Sequence, residues 1–252
     1  MKNVKFSVIT VCYNGAKEIE KTLESVLNQT VSPFEYIIID GESTDNTLEI
    51  VSNYRDEFEK KGIRLIVKSE KDQGLYYAMN KGIDVASGDF VSFINVGDWY
   101  ELDAIKNVCD LYENQEFDMT YGGIHYIKAD GKMFNKMSKK DIFVTSRHWN
   151  HPSMFLKREF YEKYHFDTSY KIFADFDLFL KLRKDKECRI CISDKILSNF
   201  KAGGVSNDRA HLKERQKEKY AAYRHNGYSR IYWVEAYIYE WLKCVYLKRK
   251  GD

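Results

Sequence analysis

Short apolar runs alternate with helix-patterned stretches through the first hundred residues, and this alternation most restricts the fold. Phe6–Val11, Tyr36–Ile39, Arg64–Lys68 and Asp89–Ile94 read as strands. Between them, Ala16–Asn28 carries Ile19, Leu23, Val26 and Leu27 at helical spacing. Ser43 or Asp45 can cap a helix bearing Leu48, Val51, Tyr54 and Phe58, and Leu75–Val85 reads as a further helix. Strands alternating with helices form βαβ units and a mainly parallel sheet. Strands that are apolar at every position belong to a sheet covered on both faces.

The second half is mixed. Asp118–Lys128 and Lys132–Lys136 flank Asp130-Gly131, a hairpin turn signal. Ser153–Leu156 reads as a strand, followed by a helix near Arg158–Tyr164. Asp175–Arg183 reads as a helix, and Cys188–Ile192 and Ile196–Phe200 as short strands. The expectation is one α/β domain over residues 1–206 and a helical extension over 207–252. Within the domain, 1–100 forms a nucleotide-binding half and 101–206 an acceptor or catalytic half.

Composition excludes several classes. Hydrophobic residues at 44% of 252 can build a sizeable core. Two prolines and 14 glycines rule out a collagen-like or low-complexity chain. The five cysteines (12, 109, 188, 191 and 244) are odd in number and irregularly spaced, which fits a reducing compartment. Cys188 and Cys191 fall in a strand pattern, where i and i+3 face opposite sides, so they read as small apolar residues rather than a metal or redox pair. Met1–Lys5 leads straight into Phe6–Val11 without a secretory pattern, and no run approaches a membrane span. A cytoplasmic location is expected.

In open α/β sheets, ligands bind at the carboxyl ends of the strands. Here those ends carry Thr10–Gly15, Asp40–Asp45, Glu70–Gly74 and Asn95–Asp98. One such cluster is an ordinary turn; four along one sheet edge indicate a site. No GxGxxG or GxxxxGK[ST] is present, which argues against a Rossmann dehydrogenase and a P-loop NTPase. The chemistry indicated is nucleotide handling, with Asp side chains able to accept from a base or to hold a hard divalent cation.

Ser7–Gly15, Asp40–Asp45, Glu70–Gly82, Ser87-Gly88-Asp89, Phe93–Asp98, His151–Phe155, Ala174–Leu178 and Gly203–Ser206 resemble glycosyltransferase family 2 of bacterial polysaccharide type, an inverting group with the GT-A fold. The resemblance spans roughly the first 206 residues. It implies a nucleotide-diphosphate sugar donor, UDP-linked, and a glycan or lipid-linked acceptor in surface polysaccharide synthesis. Asp40 resembles the base-contacting Asp, and Thr10 and Tyr13 the nucleotide-pocket walls. Asn14, Glu42, Asp72, Gly74, Asn80 and Asn95 complete the implied donor-binding set.

Asp98 is the implied ligand of Mg²⁺ or Mn²⁺, and Asp175 the implied catalytic base. His151, Gly203 and Gly204 lie near the acceptor or metal. Two readings stand beside the roles of Asp175 and Asp40: a helix cap and a turn residue. The sequence also departs from the family pattern. Asn95-Val96-Gly97 stands where Asp-x-Asp is usual, Ala174 where many relatives have Glu, and Tyr77 where close relatives often have Asp. The altered motif motivates the alternative of a donor-binding or scaffolding protein without turnover.

The near-neutral net charge of +2 conceals an asymmetry. Residues 209–252 hold 11 Lys/Arg and 5 Asp/Glu, a net +6, which leaves −4 for the rest. Arg209–Arg224 reads as a solvated helix. Ser229–Leu247 places Ile231, Val234, Ile238, Trp241, Leu242 and Val245 at helical spacing, with tyrosines between them. Glu235, Glu240 and Lys243 oppose a membrane span. Residues 229–250 suit peripheral contact with anionic lipid on the inner face of the cytoplasmic membrane. Packing on the domain or in a homodimer is the alternative, and nucleic acid is not expected.

Overall fold

A computed structural model describes residues 4–141, 143–203 and 209–249. Strands β1 (Phe6–Cys12), β2 (Glu35–Asp40), β3 (Arg64–Ser69) and β4 (Phe90–Phe93) run parallel in the order β3-β2-β1-β4. The sheet then becomes mixed. β8 (Met154–Lys157) is antiparallel to both β4 and β6 (Met119–Ile127), and β9 (Ile190–Lys201) is parallel to β6. β5 (Trp99–Tyr100) ends the sheet against β9, and β7 (Met133–Lys136) forms a hairpin with β6. The α/β expectation holds, with a parallel first half and a mixed second half.

Apolar strands divide their side chains between two cores. Ile9, Val11, Ile37, Ile39, Val91 and Phe93 join one buried cluster; Val8, Tyr36, Ile38 and Phe90 join the other. Helices α4 (Leu75–Val85), α6 (Arg158–Tyr164), α7 (Ala174–Lys184) and α8 (Leu212–His225) cover the first cluster through Met79, Tyr161, Phe179 and Tyr223. The second is covered by α1 (Ile19–Leu27), α2 (Thr47–Asn53), α3 (Arg55–Lys60) and α5 (Ala104–Asn114), through Leu23, Val51, Phe58 and Ile105. Cys188 belongs to the first cluster and Cys191 packs on the second; β9 begins at Ile190, so Cys188 precedes the strand in which it was expected.

Four details differ from the sequence-based reading. One helix after Asp45 becomes two, with Tyr54 between α2 and α3. The two short strands near residue 190 merge into β9, whose pairing shifts register at Gly123. A Cβ at Gly122 would sit 2.6 Å from the Lys195 carbonyl, so glycine permits that close approach. α5 has no counterpart in that reading. The fourth difference is α8, expected as a solvated helix. It packs on α7, with Ala222 and Tyr223 in the first core and Arg215 and Lys219 buried. Burial of those cations is made tolerable by Glu235 and Glu240, which pair with them from the following segment.

Candidate active site

Strand register sets the first part of the site. Cys12 lies beside Asp40, and Asp40 beside Ser69, at level carboxyl ends of β1, β2 and β3. The fully buried Asp40 carboxylate therefore accepts from Ser69 Oγ at 2.7 Å and from Cys12 Sγ at 3.4 Å. It also accepts from the Ser43 N–H at 2.9 Å and the Ser43 hydroxyl. Burial alone would push this carboxyl up. The Ser43 and Ser69 donors outweigh it and hold the carboxyl below its usual range.

The same hydrogen bonds lace the first two strand-end loops together. Asn14, in the left-handed region at φ 51°, accepts the Thr44 N–H on Oδ1 at 2.8 Å. Its own N–H donates to Ser43 Oγ at 2.8 Å. Asp45 accepts from the Ala16 and Thr47 N–H groups, and Thr47 Oγ1 accepts from the Gly15 N–H. A Cβ on Gly15 would stand 2.8 Å from Val96 Cγ1, so this loop closes directly on the fourth one.

These loops wall a cavity of about 760 Å³. Tyr13 (65% exposed), Glu42, Asp72, Gly74 and Leu75 line it. Asp72 pairs with Lys81 at 2.6 Å, and Lys81 also pairs with Glu70 at 2.9 Å. Gly74, at φ 142°, begins α4, whose N-terminus borders the cavity. Of the expected donor-site residues, Thr10, Asn14, Asp40 and Asn80 do not line this cavity, and Asn95 borders the next one. Thr10 is fully buried, donating to the Ile94 carbonyl at 2.6 Å and bonded to the Tyr36 hydroxyl. Both amide groups of Asn80 bond the Phe166 backbone at 2.9 Å, which ties α4 to the segment before α7. Asp40 organises the cavity's rim from beneath, with its carboxylate oxygens already satisfied. Thr10 and Asp40 are fully buried and Asn80 is tied to the Phe166 backbone, and none of these three lines the cavity.

Leu75 also lines a second cavity of about 510 Å³, which holds the remaining candidates together. Asn95, Asp98, His151, Asp175, Lys201 and Gly203 all border it. Asn95–Asp98 is a tight turn closed by the Asp98 N–H on the Asn95 carbonyl at 3.0 Å. Gly97 takes φ 92° in that turn, and a Cβ there would sit 2.6 Å from Glu18 Oε2. Asp98 is buried and accepts the Lys201 N–H at 3.0 Å. Burial pushes its carboxyl up to about 7, opposed by that hydrogen bond and assisted by the Glu18 charge. Asn95 Oδ1 is buried with no hydrogen-bond partner among the described residues. No group of three His, Cys, Asp or Glu forms a metal centre among the described residues. Gly204 lies outside them.

Asp175 stands in the first turn of α7, where an acidic residue suits the helix N-terminus. Its Oδ1 accepts from the Phe176 N–H at 2.8 Å and lies 3.1 Å from the Tyr76 hydroxyl. That hydroxyl also lies 2.7 Å from the Ile172 carbonyl, so one proton is shared between two acceptors. Burial pushes the Asp175 carboxyl up to about 6 despite these bonds, and the Glu218 charge adds to the rise. Asp175 also borders a narrower cavity of about 180 Å³ with Trp149, Phe176 and Glu240. His151 borders both cavities, stacks on Phe93 with ring centroids 5.8 Å apart, and is pushed down to about 4 by burial. It is neutral at pH 7, and its buried Nε2 has no hydrogen-bond partner among the described residues. His148 instead pairs with Asp141.

Two residues of this arrangement had no role in the sequence reading. Tyr76 is one. Glu218 on α8 is the other: its carboxylate accepts the N–H groups of Lys171, Ile172 and Phe173 at 2.9–3.2 Å. It thereby fixes the segment that delivers Asp175. A glutamate in a charge-rich helix has no local signal for such a long-range contact.

Solved structures share the fold. Staphylococcus aureus TarS 1–349 in complex with UDP-GlcNAc superposes with TM-score 0.65 at 20% identity, covering 95% of this chain and 72% of that one. The mannosyltransferase PcManGT of Pyrobaculum calidifontis, in complex with GDP-Man and Mn²⁺, gives 0.63 at 17%, covering 94% and 68%. In sequence, a PGL/p-HBAD biosynthesis glycosyltransferase of Mycobacterium bovis (strain BCG / Pasteur 1173P2) is 28% identical over 206 residues, covering 80% of this chain and 79% of its own. The amylovoran biosynthesis glycosyltransferase AmsB of Erwinia amylovora is 29% identical over 201 residues, covering 73% and 65%. The family model described as Glycosyl transferase family 2 matches residues 7–183, which run from β1 through the four strand-end loops to Asp175 on α7, and the chain belongs to that family.

Proposed function

We propose that the protein transfers a sugar, with inversion, from a UDP-sugar to a glycan or lipid-linked acceptor in bacterial surface polysaccharide synthesis. The observation that carries this reading is the position of Asp175. A carboxylate with a raised proton affinity stands on the wall between a donor-sized cavity and a second, aromatic-lined pocket. The first cavity takes the nucleotide, against Tyr13, Glu42 and Asp72. The diphosphate reaches past the N-terminus of α4, where the helix dipole favours anions. The sugar occupies the cavity of Asn95, Asp98 and Asp175, and the acceptor enters through the pocket of Trp149, Phe176 and Glu240.

The Phe176 N–H and the Tyr76 hydroxyl both engage Asp175 at Oδ1, which leaves Oδ2 toward substrate. There Asp175 accepts the acceptor hydroxyl's proton as that oxygen attacks the anomeric carbon. The bond to the diphosphate oxygen breaks on the opposite face, which inverts the configuration. Base catalysis of this kind contributes about 10²–10⁴-fold. His151, uncharged, can accept a sugar or acceptor hydroxyl on Nε2 without competing for the proton.

Asn95, whose side-chain oxygen is unpartnered among the described residues, and Asp98 both border the second cavity and are the hard-oxygen side chains that would hold Mg²⁺ or Mn²⁺, with substrate oxygens completing the shell. Such an ion, when bound, offsets the charge of the departing diphosphate. The complexes of TarS with UDP-GlcNAc and of PcManGT with GDP-Man and Mn²⁺ support the donor class and the ion. A second reading, donor binding without turnover, draws on the amide at position 95 where the family pattern has a carboxylate.

The deciding experiment screens nucleoside diphosphate release from UDP- and GDP-sugars, with and without Mn²⁺ or Mg²⁺ and with candidate acceptors. Acceptor-stimulated release supports transfer. Calorimetric donor binding with no release from any donor selects the second reading.

A further inference from the structure

The segment after α8 is inverted relative to an ordinary surface helix. It runs as a 3₁₀ turn (Arg230–Tyr232), a π-helical turn (Val234–Tyr239) and α9 (Glu240–Arg249). Its carboxylates point in. Glu235 accepts from Lys219 at 3.1 Å and Arg147 at 3.3 Å, and Glu240 pairs with Lys219 at 3.0 Å and with Arg215. Its large apolar residues point out. Ile231, Trp233, Val234, Ile238, Trp241 and Leu242 are 41–60% exposed. Phe143, also exposed, stacks on Tyr232 at 4.2 Å and extends this surface. Exposed apolar side chains so clustered mark an interaction face.

The charges around the face identify its partner. All four described carboxylates after residue 208 are turned to the body: Glu214 pairs with Lys171, Glu218 holds the backbone before α7, and Glu235 and Glu240 are buried. Lys213, Lys217, Arg224 and Arg230 remain exposed, and the sequence carries Lys248-Arg249-Lys250 before its final Gly251-Asp252. The exposed residues of the extension thus combine tryptophans, aliphatic side chains and cations, with its described carboxylates engaged elsewhere. A second copy would bring the same positive surface to it. An anionic bilayer supplies both the hydrocarbon boundary and the countercharge.

We infer that the face formed by Ile231, Trp233, Val234, Ile238, Trp241 and Leu242 docks on an anionic phospholipid surface. Glu240, on the inner side of the same helix, borders the narrow cavity of Asp175. Docking thus brings the acceptor entrance to the lipid interface. The inference deepens the proposed function and rests on it only for the acceptor's route; lipid binding itself needs no turnover.

The test is cosedimentation of the full-length protein with phosphatidylcholine vesicles, with and without phosphatidylglycerol. Anionic vesicles should bind at least about tenfold more protein than neutral ones, and binding should weaken as salt is raised. Ile238→Asp and Trp241→Asp should each lower partitioning by about tenfold or more while leaving Tm unchanged. Leu242→Ser removes apolar area without adding charge and serves if either Asp variant lowers Tm. Equal binding to both vesicle types, or full binding by the variants, overturns the inference. So does a stable dimer that Trp241→Asp dissociates, which would give the face to a second copy. A protein that binds anionic vesicles but releases no nucleotide keeps this inference and rejects transfer.

Discussion

Asp40 braces the loops around the first cavity and Asp175 lines the second, and their surroundings drive them in opposite directions. Asp40 sits among donors from three neighbouring strand ends and is held ionised, below the ordinary carboxylate range. Asp175 is buried with one backbone N–H and a shared hydroxyl, and is held near 6. A saturated carboxylate makes a rigid scaffold and a poor base; an under-solvated one is poised to take a proton near neutral pH. The loops of the first cavity are thus braced by a fully hydrogen-bonded carboxylate, whereas the second cavity is lined by a desolvated one. The extension offers a third case, carboxylates buried with cations: Glu235 and Glu240 against Lys219 and Arg215.

Substitutions can break this comparison in order of size. Asp175→Asn should lower kcat by about 10²–10⁴-fold while calorimetry finds donor affinity unchanged. A loss of donor binding instead would move Asp175 to the scaffold class. Lys219→Ala should cost about 3–5 kcal/mol in urea unfolding, because it leaves buried carboxylates uncompensated. A cost near zero would mean that Glu235 and Glu240 are solvated. Asp40→Asn should cost about 1–3 kcal/mol, since an amide cannot accept at both oxygen positions. Donor affinity should also fall as the Asn14–Ser43 loop loosens.

pH provides the finest discrimination. Protonated Asp175 cannot accept a proton, so kcat/KM should rise as pH increases through about 6. Stability has the opposite sign. The folded carboxyl titrates above its unfolded value of 3.8, so the folded state loses stability as pH climbs from 4 to 6 and stays lowered above that. Asp175→Asn should therefore raise Tm by roughly 2–5 °C at pH 7.5 and leave it unchanged at pH 4. An unchanged Tm at both values would show that Asp175 is not desolvated.

Much of the scaffold was legible locally. Arg158–Tyr164 and Leu75–Val85 match α6 and α4 end to end, because apolar spacing and adjacent Gly, Pro and polar residues act within a few positions. The strand-end clusters were legible as a site because sheet topology puts all carboxyl ends at one edge. Thr10 and Asn80 were not legible as braces. Their partners, Ile94 and Phe166, are 84 and 86 residues away, and hydroxyl or amide capacity can be assigned only once the partner is placed.

The extension marks the boundary most clearly. Sequence alone determined that its apolar positions recur at helical spacing among basic residues, since both are properties of the local chain. Only the tertiary structure decided which way the helix faces. Burying Arg215 and Lys219 in α8 required nearby anions, and Glu235 and Glu240 are the ones within reach. That pairing turned the polar side inward and left the apolar side facing out, because an unpaired buried charge costs more than an exposed leucine.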